Sequence, residues 1–156
     1  MIIANRKKKI ESEKLIKEVL LYICLINDNI CYDYQLNRIS PTFERSLQRY
    51  SNELFHSGAI PKLRLKRDEN GLFYQTEDLI NTNKKFYTFE DSAHSDRLAR
   101  VLTLVYLKTI NHPIASNKAD LKKFYISKLN PSSSDKTFLR DLKLLDLAYF
   151  YYKHNG

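Results

Sequence analysis

Thr42-Phe43-Glu44-Arg45-Ser46-Leu47-Gln48-Arg49-Tyr50 returns further along the chain as Thr137-Phe138-Leu139-Arg140-Asp141-Leu142-Lys143-Leu144-Leu145. Both stretches read Thr-Phe-x-Arg-[Ser/Asp]-Leu-x-x-apolar. Each follows a polar Ser/Pro-containing stretch and lies downstream of a strongly apolar helical segment. In the first copy Phe43, Leu47, Tyr50 and Leu54 recur at i, i+4, i+7 and i+11, one face of a helix over residues 42–56. The opposite face carries Glu44, Arg45, Gln48, Arg49 and Asn52. Ser40-Pro41 supplies a cap and a first-turn proline, and Ser57-Gly58 a stop.

Working outward, Ser12-Glu13 opens an earlier helix whose stripe is Leu15, Val19, Tyr22, Ile23 and Ile26, ended by Asn27-Asp28-Asn29. Tyr32 and Leu36 fit a two-turn helix up to Arg38. Downstream, Leu63-Arg64-Leu65-Lys66-Arg67 alternates apolar and basic. Asp68-Glu69-Asn70-Gly71 then turns into Leu72-Phe73-Tyr74-Gln75, which predicts a hairpin over 62–75. Three helices followed by a hairpin make a winged helix-turn-helix. The stripe recurs 83 positions later as Leu98, Leu102, Val105 and Tyr106, after a restart at Ser95-Asp96 and before His112-Pro113. A helix over 118–128 carries Leu121, Phe124 and Tyr125. A cap loop, Asn130-Pro131-Ser132-Ser133-Ser134, precedes a last helix over 135–150. The later offset is 95, so the second copy is longer between its helices; a co-linear repeat of this kind points to duplication. The expected architecture is mainly α: tandem winged helix-turn-helix units at 10–76 and 93–156, the first with a β-hairpin wing, joined by a connector at 77–92.

The chain has 156 residues and a net charge of +8, with 13 Lys and Arg against 9 Asp and Glu in each of residues 1–76 and 77–156. The excess is therefore spread over both units, and it fits a polyanionic partner. Residues 1–9 read as a basic arm. Cys24 and Cys31 match no zinc or redox spacing, which implies a reducing, cytoplasmic setting. No secretory h-region follows Met1-Ile2-Ile3, and the longest apolar run, residues 19–26, is far short of the roughly 20 residues a membrane span needs.

The stretch Ser40-Pro41-Thr42-Phe43-Glu44-Arg45-Ser46-Leu47, with Tyr50 after it, resembles the DeoR-like winged helix-turn-helix of bacterial transcription regulators, a unit also found ahead of WYL domains. The second copy keeps the Asp after Arg that this recognition helix commonly carries; the first has Ser46. Asn70-Gly71-Leu72-Phe73-Tyr74 is a loose match to the family's wing ending. The resemblance implies a sequence-specific double-stranded DNA-binding protein, a bacterial or mobile-element regulator. Arg45, Gln48 and Arg49 would read base edges in the major groove. Ser40 and Thr42 would meet a phosphate at the helix start. Lys62, Arg64, Lys66 and Arg67 would form a wing on flanking phosphates. Lys136, Arg140 and Lys143 are the corresponding groups of the second unit, whose exposed face also offers Leu139 and Asp141. In an Arg-Asp arrangement such as Arg140-Asp141, the acid can instead pin the helix to a neighbour.

The apolar run over 144–150 is too greasy for a groove and suits packing against the first unit or a homodimer interface. No cofactor, metal or small-molecule effector is implied, and no membrane partner. An enzyme is disfavoured: Gly58, Gly71 and Gly156 build no phosphate loop, and His56, His94, His112 and His154 are scattered. Two other readings stand beside the regulator: a protein-interaction module of tandem winged helices, and a plasmid or phage replication or partition protein.

Overall fold

The computed structural model describes residues 2–82, 97–129 and 135–154, with backbone alone for 2–12 and 82. Its centre is helix α1 (Ile2–Asp28). Residues 16–26 of α1 are buried without a break. The stripe through Leu15, Val19 and Ile23 is therefore only one of several covered faces, because Leu20, Leu21, Cys24 and Leu25 are also wholly buried. Over residues 19–26 the helix is apolar all round, as a segment inside a core is. Helix α3 (Glu44–His56) covers one side of α1, and α5 (Arg97–Thr109) and α7 (Asp135–Lys153) cover others. Residues 99–107 of α5 are likewise continuously buried. One hydrophobic cluster thus runs through both halves of the chain.

The arm expected over residues 1–9 is instead the start of α1, which is helical from Ile2. Lys, Arg and Glu are good helix formers, and no Gly or Pro interrupts them before Pro41. Asn29 ends the helix in the left-handed region (φ 63°), its N–H donating to the Leu25 carbonyl at 3.0 Å. The chain then enters strand β1 (Ile30–Tyr32) and the short helix α2 (Asp33–Leu36). After α3 come β2 (Lys66–Asp68) and β3 (Gly71–Gln75). The three strands form an antiparallel sheet in the order β1-β3-β2, with Cys31 opposite Tyr74 and Arg67 opposite Leu72.

The hairpin expected over 62–75 is therefore paired only from Lys66. Residues 62–65 approach it as unpaired chain, although Leu63 and Leu65 still turn inward between exposed Lys62 and Arg64. The turn is stabilised by Asp68, whose carboxylate accepts from the Asn70 N–H at 2.8 Å. Gly71 follows at φ 128°, and a Cβ there would lie 2.7 Å from Asp33 Oδ1. The backbone conformation favours glycine here, and a side chain would also displace the Asp33 carboxylate. Gly71→Ala is expected to cost about 1–3 kcal/mol of stability in urea denaturation; an unchanged midpoint would show that the turn relaxes freely.

In the second half, α6 (Lys118–Phe124) runs on through a π-helical turn (Tyr125–Leu129) toward α7. No strand occurs among the described residues of 97–154. Of the connector expected at 77–92, a short helix α4 (Leu79–Thr82) is described. The rest of the connector, the restart at Ser95-Asp96 and the cap loop 130–134 lie outside the described residues. Helices α3 and α5 end alike. Gly58 (φ 85°) and Asn111 (φ 55°) take left-handed conformations, and the following Ala59 and His112 N–H groups reach back to Leu54 and Leu107 carbonyls.

The repeated motif does not occupy equivalent positions. Helix α3 begins at Glu44, so Phe43 precedes its first turn and is 73% exposed. Helix α7 begins at Asp135, so Phe138 already lies within it and is wholly buried against Tyr125. The buried positions Leu47, Tyr50, Ser51 and Leu54 of α3 match Asp141, Leu144, Leu145 and Ala148 of α7, one residue out of phase with the sequence repeat. Phe43 is thus not part of the buried stripe, and Asp141 is not on an exposed face.

Candidate nucleic-acid interface

Helix α3 is held against α1 by its buried face. The Lys14 ammonium donates to Glu53 at 2.9 Å, and Lys17 donates to the Pro41 carbonyl at 3.1 Å, fixing the turn that leads into α3. That turn differs from the sequence expectation. Phe43 is the residue capping α3 and its side chain offers no hydrogen bond, so neither Ser40 nor Thr42 caps the helix. The Thr42 N–H donates to Asn37 Oδ1 at 2.8 Å and the Thr42 hydroxyl to the Ser40 carbonyl at 3.2 Å. Both residues are partly buried and shape the entry to α3.

Arg45, Gln48, Arg49 and Asn52 follow at i, i+3, i+4 and i+7 and are all exposed. Arg49 leans over the Tyr50 ring, its guanidinium carbon 5.8 Å from the centroid. The two acids of the helix are placed off this face. Glu44 sits in the first turn, where a carboxylate suits the helix dipole, and Glu53 turns inward to Lys14. Exposed Phe43 stands at the N-terminal edge of the same surface. Its apolar character predicts a place in the buried stripe, but the helix starts one residue after it, outside the reach of that spacing.

The sheet supplies a second basic edge. Lys62, Arg64, Lys66 and Arg67 are all exposed. Successive strand residues face opposite ways, and the cross-strand register separates two of them. Lys66 lies opposite Phe73, which lies opposite Tyr32, on the outer face; Arg67 shares a face with inward-packed Leu72 and Tyr74. Tyr74 is hydrogen-bonded to Ser51 of α3, so Arg67 stands on the side of the sheet nearer α3.

Under this surface lies a carboxyl pair. Glu18 of α1 is 2% exposed and hydrogen-bonded to Glu53, and one of its oxygens has no partner among the described residues. Burial, reinforced by the neighbouring Glu53 carboxylate, pushes the Glu18 carboxyl up to about 9. Glu53's own burial works to raise its pKa, but the bond from Glu18 and the Lys14 ammonium hold it below the ordinary range. A neutral Glu18 therefore donates to an ionised Glu53. Because the folded-state pKa of Glu18 lies above its unfolded value, stability falls as pH rises from the ordinary carboxylate range toward about 9. Glu18→Gln keeps the donor and is expected to flatten this slope and gain on the wild type at alkaline pH. Parallel stability profiles for the two proteins would refute the assignment.

The second unit places its cations elsewhere. Lys136, Arg140 and Lys143 are exposed, and together with Lys118 they rim a groove of about 800 Å³ between α6 and α7. Nothing in the sequence ties Lys118 to α7; only the fold brings it there. Asp141, wholly buried, binds Arg97 Nε at 2.8 Å, the Tyr125 hydroxyl at 2.5 Å and Arg100 Nε at 3.4 Å. The acid does pin α7 to a neighbour, but through arginines of α5 rather than Arg140. The run over 144–150 is divided: Leu144, Leu145 and Ala148 are buried in the common core, while Leu147 and Phe150 are exposed. Tyr152 donates to Asp28 at 3.0 Å and Arg38 to the His154 carbonyl, tying the end of α7 to the first half.

Among the described residues no group of three or more His, Cys, Asp or Glu side chains is placed to hold a metal ion. No helix among them is long and apolar enough to cross a membrane. Comparison of the chain with protein-family models, with characterised proteins and with solved structures finds no match in any of the three.

Proposed function

We propose that the chain is a sequence-specific double-stranded DNA-binding protein, a bacterial or mobile-element transcription regulator, that lays α3 in the major groove and the 62–75 segment along the adjacent backbone. The observation that carries this is the face of Arg45, Gln48, Arg49 and Asn52. Four side chains able to bond base edges share one exposed side of a helix braced from behind, with Glu53 turned away. The order of elements supports it: helix, strand, two helices and a hairpin, with the first strand completing the sheet, is the arrangement a winged helix uses. Exposed Lys62, Arg64 and Arg67 would supply the contacts to flanking phosphates.

The exposed apolar residues of α7 favour a second reading, a protein-interaction module built on paired winged helices. Selection of bound fragments from random duplex DNA, followed by titration at two salt concentrations, separates the two. The regulator reading expects an enriched sequence and an affinity that falls steeply with salt. Recovery of no enriched sequence, with binding absent at low salt, would overturn it. Enrichment of replication origins rather than promoters in genomic fragments would keep the DNA contacts and reassign the process to replication or partition.

A further inference from the structure

Helix α7 carries an uncovered stripe. Leu139 (48% exposed), Leu147 (41%) and Phe150 (53%) are half of the large hydrophobic side chains that stand exposed among the described residues. With exposed Lys143 and Asp146 they occupy one side of the helix: Leu139, Lys143, Asp146 and Phe150 follow in the four-three-four spacing of a helix–helix seam, and Leu147 flanks it. Among the described residues neither Lys143 nor Asp146 enters an ion pair within the chain.

The order of these side chains is self-complementary. A second α7 laid antiparallel, with the two-fold axis passing between Leu144 and Leu145, sets Leu139 against the partner's Phe150 and Lys143 against the partner's Asp146. Each pairing occurs twice, as an isologous interface demands. The α6–α7 groove fits the same arrangement. Leu121, Leu139 and Leu142 line it, and Lys118, Lys136 and Arg140 stand around its rim. The partner helix ends there, bringing the negative end of its helix dipole toward those cations. Lys136 and Lys153 meet like charges at the outer ends, where both are exposed and screened by salt.

We infer that this stripe is the interface between two copies of the chain, joined through antiparallel α7 helices with reciprocal Lys143–Asp146 ion pairs. The inference stands apart from DNA contact: it concerns a different helix and is tested without nucleic acid. Sedimentation equilibrium of the full chain is expected to show a dimer at micromolar concentration. Lys143→Asp and Asp146→Lys, each alone, put like charges opposite one another and are expected to weaken association by roughly tenfold or more. The combined variant restores opposite charges with the signs exchanged and is expected to recover association. Leu139→Asp, at an exposed site, is expected to give a monomer with unchanged helical circular dichroism. A wild-type monomer throughout this range overturns the inference. So does a dimer indifferent to all these variants, or a double variant no better than the single ones. Should the wild-type monomer bind a synthetic acidic amphipathic peptide at the groove, the face belongs to another kind of partner. Loss of the dimer with retained sequence-specific binding would leave the DNA reading in place.

Discussion

Asp141→Ala is expected to cost about 3–5 kcal/mol of folding stability, the range for removing one partner from a buried ion pair. The carboxylate is wholly buried and receives three donors; its loss takes the shared acceptor from Arg97, Arg100 and Tyr125, two of them buried. Arg97 suffers less, because about a third of its side chain already meets solvent. Tyr125→Phe removes the hydroxyl that donates to Asp141 at 2.5 Å and accepts from Arg100 at 3.2 Å, two hydrogen bonds of the same network, and is expected to cost about 1–3 kcal/mol. Arg140→Ala, one residue away and exposed, is expected to change stability by no more than about 0.5 kcal/mol. Urea denaturation of the four proteins gives the order directly. A mild Asp141→Ala, or an Arg140→Ala of equal severity, would mean that the second motif is pinned by some other contact.

The largest effect expected on binding comes from α3. Arg45→Ala and Arg49→Ala should each reduce affinity for the selected sequence by about 1–3 kcal/mol and relax preference at one base pair. Both side chains are exposed, so melting temperatures should move little, and less for Arg45 than for Arg49, which leans over Tyr50. The decisive comparison is between selected and random duplex. A loss confined to the selected sequence marks base reading, whereas an equal loss on both makes these residues phosphate clamps. No loss on either removes α3 from the interface.

Much of this architecture was legible before any coordinates. Gly58, Asn29 and His112-Pro113 marked helix ends because the left-handed cap and the proline act through the local backbone. The hairpin was legible from its turn, and α3 from its spacing. What escaped was whatever depends on a neighbour. Strand β1 has three residues, too few for an alternating pattern to appear, and exists because β3 offers it an edge. The phase slip between the two Thr-Phe-x-Arg motifs is equally invisible in the letters, since it depends on where each helix starts: at Glu44, just after Phe43, but at Asp135, three residues before Phe138. For the candidate site, exposure of Arg45, Gln48 and Arg49 followed from periodicity, whereas the burial of Asp141 among Arg97, Arg100 and Tyr125 required the tertiary fold.

The uninterrupted burial of residues 16–26 makes α1 a shared axle. Severing the chain in the connector would strip one flank of that axle and leave leucines and isoleucines facing water on whichever fragment retained it. The front half is therefore expected not to fold as a transplantable unit. A change that loosens the rear helices would be felt at the tilt of α3, because both lean on the same rod.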